Sequence, residues 1–380
     1  MREYLLVFAV AAVVTYLLCV IARELAVRTG AVAKVRDRDV HDVPIPYFGG
    51  LAMLGGLAAG LLVAQHLPFL GRSQGQVFHD AHVVLGAGAI ICLVGVIDDM
   101  IELDALTKLG GQVIAVGFMV LNQIQLFSLN IIGGVGQFVI DTNQAILLTM
   151  LLVLGTVNAV NFVDGLDGLA AGVVLLGAVA FFLFSYKLAA ANGESLAITA
   201  ALLCVAIGGA CAGFLPHNFF PARLFMGDSG SMLLGLVLSG SALTLTGQFA
   251  SVQITQGANG QPSQTGLLWL LPIVLPIAIL VIPLLDLVLA VVRRTRRGQA
   301  FYHPDKEHLH HRLLEIGHSQ RRAVIIIWMW AGLIAFGAVL ASLYAGPVIW
   351  AVLAVAVAAA IAVTFVLPRV SRPGEYPAGV

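Results

Sequence analysis

A chain of 380 residues that is 59% hydrophobic and only 11% charged, with a mean hydropathy of +0.97, lies far outside the range of soluble globular domains. Its formal net charge of zero and its apolar composition exclude a nucleic-acid-binding module, and no nucleic-acid partner is expected. The composition reads as an all-α polytopic membrane protein, because only helices or closed barrels satisfy the backbone in lipid and the apolar runs here are helix-length.

About 20 apolar residues cross the hydrocarbon as a helix, and eleven such spans are predicted in order along the chain. They cover 4–22, 48–67, 82–97, 109–126, 144–161, 169–188, 195–215, 229–247, 267–292, 323–344 and 348–367. The first has no clear small-residue cleavage site and ten more follow, so it reads as a retained span rather than a signal peptide. Pro272, Pro276 and Pro283 should bend the ninth and could open a groove for a lipid tail; a kink made only for packing is the alternative. The whole of 1–380 is one integral membrane domain, with a basic, histidine-bearing loop at 293–322 and a short tail at 368–380. Cys19, Cys92, Cys204 and Cys211 fall within spans without metal-ligand spacing and read as small core residues.

Lys and Arg orient the chain, since cytoplasmic loops carry their excess. With the N-terminus outside and the C-terminus cytoplasmic, 17 of them fall inside and 3 outside, the three being Arg2, Arg72 and Lys187. A multi-pass protein of the plasma (inner) membrane is expected. Most of this imbalance is ordinary positive-inside bias, but basic inner loops also suit anionic headgroups or an anionic substrate.

On that topology every unusual polar cluster falls on the cytoplasmic side. Asp98 and Asp99 end the third span, with Lys108 beyond; Asn158, Asn161, Asp164 and Asp167 join the fifth and sixth; Phe225, Asp228 and Ser229 lead into the eighth; His308, His310 and His311 lie in the long loop. The outer loops hold mostly Gln, Asn, Ser and Gly. Four distant segments thus form one composite site in a cytosolic cleft. Each cluster has a plainer explanation: a solvated helix end for Asp98 and Asp99, turn or cap formation for Asp164 and Asp167, an N-cap for Asp228, and interfacial or zinc-binding histidines. All of them would have to hold together on one face.

Asp164 and Asp167 share a face if the sixth helix begins there, and Gly165 and Gly168 allow close approach. Carboxylates that close need a cation or donor. Magnesium fits, because it takes one or two carboxylates plus substrate phosphates; Mn2+ is the natural substitute. FMGDSGS puts Asp228 at a helix start, where N–H groups favour phosphate, and Lys108 adds a point charge for a diphosphate. These are ingredients of metal-assisted phosphoryl transfer. A transporter is disfavoured, since its acids would sit near mid-membrane and accompany inverted repeats, and the sequence has neither.

HDVPIPYFGGLAM, IDDM with Lys108 and Gln112 following, NAVNFVDGLDGLAAG, FMGDSGS, PLLD and DKEHLHHRL occur in order over nearly the whole chain. In this the sequence resembles the polyprenyl-phosphate N-acetylhexosamine-1-phosphate transferases, and HLHH is similar to the WecA/TagO-like branch of that superfamily. The resemblance implies ten or eleven helices around a cytosolic cleft, often as a homodimer. It implies transfer of GlcNAc 1-phosphate from UDP-GlcNAc to undecaprenyl or decaprenyl phosphate; another N-acetylhexosamine or UDP-MurNAc-pentapeptide is the alternative donor. By motif, Asp228 and Asn161 would neighbour Mg2+, with Asp164 and Asp167 arranging metal or nucleotide. Phe225 would stack on uracil, Lys108 hold the diphosphate, and Asp98 and Asp99 contact or deprotonate the lipid phosphate. Asn158 joins the substrate-binding set, and His308, His310 and His311 would recognise the donor sugar and phosphate. Direct attack by the lipid phosphate is favoured over a phospho-aspartate intermediate, because positioning and charge are what phosphoryl transfer chiefly needs.

Overall fold

The computed structural model describes residues 1–33, 44–72, 75–126, 128–130, 137–192, 195–246, 295, 318–344 and 346–365. These residues contain α1 (Arg2–Thr29), α2 (Gly49–Gln65), α3 (Gly75–Ile101), α4 (Ala105–Leu121), β1 (Ser128–Asn130), β2 (Gln137–Val139), α5 (Thr142–Val163), α6 (Leu169–Asn192), α7 (Ser195–Asn218), α8 (Gly227–Thr246), α9 (Gln320–Leu343) and α10 (Pro347–Phe365). Eight of the helices are long and apolar enough to cross a membrane, while α2 and α4, at 17 residues each, are shorter. The protein is a multi-pass, helical membrane protein. Ten of the eleven predicted spans correspond to these helices. The ninth, with its prolines, the segment carrying His308, His310 and His311, and the tail at 368–380 lie outside the described residues.

Several boundaries differ from the hydropathy reading. α1 and α3 run for 28 and 27 residues, because a helix continues past the hydrocarbon on residues that lower the hydropathy, such as Gln76, His79 and Asp80 on α3. Gly30, at φ 76°, ends α1 by returning its N–H to the Ala26 carbonyl. α4 begins four residues earlier than predicted because Asp104 caps it, accepting from the N–H groups of Leu106 and Thr107, each at 3.1 Å. Lys108 therefore sits inside the first turn of α4 rather than in a loop before it. α9 likewise starts at Gln320, so Arg321 and Arg322 belong to a helix and not to the loop predicted to reach 322. Between α4 and α5, β1 and β2 pair antiparallel with Ser128 opposite Val139, a small hairpin that the all-α reading did not include. Its second strand, Gln-Phe-Val, is too short a β-forming run to register beside the long apolar spans.

α8 occupies the middle, packed by α2, α3, α5 and α7 and almost wholly enclosed. Its hydroxyls are satisfied within the helix: Ser239 donates to the Gly235 carbonyl at 2.8 Å and Ser241 to that of Val237 at 2.7 Å. Among the described residues, α1 lies along α2 and α7, α6 along α7 and α9, and α10 leans on α9. Large apolar side chains remain exposed on the periphery, including Leu17 and Ile21 on α1, Ile114 and Leu121 on α4, and Val348 and Val355 on α10. That is the surface acyl chains require. The four cysteines are buried free thiols, as their positions suggested.

Candidate functional site

Four helix ends converge at one end of the bundle: the C-terminal ends of α3 and α5 and the first turns of α4 and α8. α3 and α8 come together there because Gly95 has no side chain; a Cβ on it would collide with the backbone of Ser229. α8 spans from Gly227, whose φ of +69° is left-handed, and Asp228 lies within the first turn rather than capping it from outside.

Lys108 is the hub. Its ammonium group reaches the Asp98 carboxylate at 3.0 Å and donates a short hydrogen bond to Asp228 Oδ2. Asp228 Oδ1 accepts from Asn161 Nδ2 at 2.6 Å, and the same amide donates to Ser231 Oγ at 2.8 Å. Asp98 Oδ1 also accepts from the Leu103 N–H at 2.7 Å. Asp99 is turned elsewhere, its two oxygens accepting the N–H groups of Asp228 at 2.8 Å and Ser229 at 3.3 Å. The amides expected to be open to phosphate at the start of α8 are therefore already taken by a carboxylate.

Asn158, one turn before Asn161, pairs reciprocally with Gln112: its Nδ2 donates to Oε1 at 2.8 Å and its Oδ1 accepts at 3.3 Å. Gln112 is buried and also donates to Met232 Sδ at 3.2 Å. The pair clamps α4 to α5 beside the charged cluster.

Asp164 and Asp167 lie on the turn before α6, which starts only at Leu169, so the condition for placing them on one helical face is not met. Gly168 at φ +76° breaks the helical path between them and α6. The two acids have different surroundings. Asp167 is buried, and its Oδ2 accepts the Ala222 N–H at 2.9 Å, fastening the turn to the segment before α8. Asp164 stands nearer the cluster: burial, and after it the negative charges of Asp228, Asp99 and Asp167, hold its carboxyl well above the usual carboxylate range. Phe225 is half-buried, its ring 6.1 Å from that of Tyr47, with its backbone held by Pro46 and Gly49.

The structure thus joins three of the four predicted segments, and the histidine segment lies outside the described residues. Sequence reasoning did not single out Asp104, Ser231 or Asn218. The amide of Asn218 accepts from the Gly168 N–H at 2.9 Å and donates to the Leu224 carbonyl at 3.0 Å, splinting the aspartate turn to the residue before Phe225. A polar residue closing an apolar helix was the available signal.

Oxygen donors and a lysine make up the cluster, with no cysteine or histidine among its described members, so its chemistry suits a hard cation. Among the described residues no three His, Cys, Asp or Glu side chains close on one point. One or two carboxylates and an amide fit a magnesium ion, which takes its remaining ligands from water and substrate phosphates.

Residues 81–246 match the sequence profile of glycosyl transferase family 4. The chain is similar to the decaprenyl-phosphate N-acetylglucosaminephosphotransferase of Mycobacterium tuberculosis strain H37Rv, 45% identical over 99% of this chain and 91% of that protein. It is 32% identical to the probable undecaprenyl-phosphate N-acetylglucosaminyl 1-phosphate transferase of Bacillus subtilis, over 87% of this chain and 82% of that one. With the undecaprenyl-phosphate alpha-N-acetylglucosaminyl 1-phosphate transferase of Escherichia coli K12 the identity is 28%, over 86% and 81%.

Proposed function

Because the chain belongs to glycosyl transferase family 4, we propose that it transfers N-acetylglucosamine 1-phosphate from UDP-GlcNAc to a polyprenyl phosphate in the membrane. A phosphate oxygen of the lipid attacks the β-phosphorus of the donor; the bond from that phosphorus to the bridging oxygen breaks, UMP leaves, and polyprenyl-diphosphate-GlcNAc remains. The 45% identity to a decaprenyl-phosphate enzyme favours decaprenyl over undecaprenyl phosphate as acceptor.

The observation that carries the reading is the linked set Asp98, Lys108, Asp228 and Asn161 at one end of membrane-crossing helices, where a lipid phosphate and a soluble nucleotide can both arrive. Asp228 and Asn161 would hold Mg2+, or Mn2+ in its place. The ion supplies charge neutralisation on the diphosphate. Lys108 exchanges a carboxylate for a diphosphate oxygen, Asp98 faces the acceptor phosphate, Asp164 helps to arrange the metal or nucleotide, Asp167 holds the turn beneath it, and Phe225 stacks on uracil. The positive-inside pattern supports a plasma-membrane protein with this site on the cytoplasmic face.

The test is UMP release by detergent-purified protein given UDP-GlcNAc, decaprenyl phosphate and Mg2+, with EDTA and a panel of UDP-sugars as controls. Release that needs both substrates and stops with EDTA is expected. Transfer confined to a donor other than UDP-GlcNAc would replace the substrate, and no release with any UDP-sugar would overturn the reading.

A further inference from the structure

We propose that Asp99 is a positioning residue: delivered by α3, its carboxylate serves as the N-terminal cap of α8 and fixes the direction of Asp228, leaving Asp98 as the α3 acid that faces the reaction space.

Neighbours on a helix project about 100° apart, so Asp98 and Asp99 approach Asp228 differently, Asp98 at its side chain through Lys108 and Asp99 at its backbone N–H. The first turn of a helix has N–H groups without intrahelical partners, normally satisfied by an oxygen from the residue just before it. Here neither Met226 nor the left-handed Gly227 has a side-chain oxygen to offer. Asp99 supplies the missing acceptor from another helix, one oxygen for the N–H of Asp228 at 2.8 Å and the other for that of Ser229 at 3.3 Å. A negative charge there also complements the positive end of the α8 dipole.

Two glycines make room for it. Gly95, one turn earlier on α3, lets the α3 backbone meet Ser229, and a Cβ on Gly227 would run into the Asp99 carboxylate itself. With both oxygens committed to main-chain donors, Asp99 holds the backbone of Asp228 while Lys108 and Asn161 hold its side chain. The cap is a direct reading of the contacts; its importance for transfer rests on the function proposed for Asp228.

The test compares full-length Asp99→Asn, Asp99→Glu and Asp98→Asn with the parent protein in detergent. Amide hydrogen exchange over residues 227–230 reads the cap without any substrate. Mn2+ titration, followed by its electron paramagnetic resonance signal, reads Asp228 without turnover. Asp99→Asn replaces one capping oxygen with an NH2 group facing an N–H, so exchange there should rise about 10-fold, as expected for losing roughly one hydrogen bond. Mn2+ should bind about 10-fold more weakly, with the KM for decaprenyl phosphate within about twofold of the parent if the cap is its only role. Asp99→Glu, which keeps the charge and both oxygens, should recover part of the protection and serves as the readout if the Asn variant does not fold. Asp98→Asn should leave exchange at 227–230 unchanged. Parent-like exchange and Mn2+ affinity in Asp99→Asn, with a raised KM for the lipid, would overturn the proposal. Absence of transfer by the parent would overturn the functional reading and leave the exchange arm to judge the cap.

Discussion

Lys108→Met separates what the lysine does for the protein from what it does for the reaction. The ammonium lies 3.0 Å from Asp98 and binds Asp228, in side chains only 19%, 11% and 28% exposed. One such pair at 3.0 Å is worth about 5 kcal/mol of gross attraction at an effective dielectric of about 20. Desolvation and water at the partly open side cancel most of this, leaving a net loss of about 1–3 kcal/mol when the lysine is removed. In a thermal melt of purified protein with EDTA that loss should appear as a fall of about 2–6 °C. Millimolar Mg2+ should restore much of it in the variant and do less for the parent, because a divalent cation takes over the two orphaned carboxylates. Turnover should not return: with the diphosphate's positive contact gone, kcat should stay about 10²-fold or more below the parent. Identical melts with and without EDTA, or full activity once Mg2+ is supplied, would refute the idea that Lys108 neutralises this pair and then serves the diphosphate.

The two acids of the DGLDG turn should part company. Asp164→Asn is expected to cost about 10²-fold in kcat at parental stability, whereas Asp167→Asn, whose amide oxygen can still accept the Ala222 N–H, should remain within about 10-fold. Asp167→Ala, which strands that buried N–H, should cost about 1–3 kcal/mol in stability; two equally inactive Asn variants in a substrate-saturated assay would contradict this division. Phe225→Ala should raise the KM for UDP-GlcNAc about 10-fold through loss of base stacking and leave the lipid KM alone, and an unchanged donor KM in steady-state kinetics would remove Phe225 from the uracil site.

The membrane helices were legible because hydropathy reports the solvent around each segment, and here that solvent is lipid. The same measure is blind to helix that runs on through polar residues, which is why α1 and α3 are longer than their apolar cores and why Lys108 was assigned to a loop when Asp104 had already started α4. Span parity sends the segments of Asp98, Lys108, Asn161 and Asp228 to one side, so their common end of the bundle was legible, while their meeting depends on how closely the helices pack. Which acid touches what did not follow. The i, i+3 spacing of Asp164 and Asp167 suggested a shared helical face, but the left-handed Gly168 keeps both on the turn and gives them different neighbours. The commitment of Asp99 to α8 depends on how closely two helices approach, a matter settled by Gly95 and Gly227 together and written at neither position alone. The pairing of Asn158 with Gln112 was hidden for a similar reason: the two lie 46 residues apart.

The central position of α8 has a consequence for motion. A helix enclosed by four others, its hydroxyls bonded to its own carbonyls, cannot shift by an ångström without opening voids on several sides at once. The start of α8, with Asp228 on it, is therefore expected to move little during turnover. Any closing motion over substrate is therefore expected at the rim around α8 rather than in α8 itself. Compounds that wedge the rim open should slow the enzyme without disturbing the geometry of the acids.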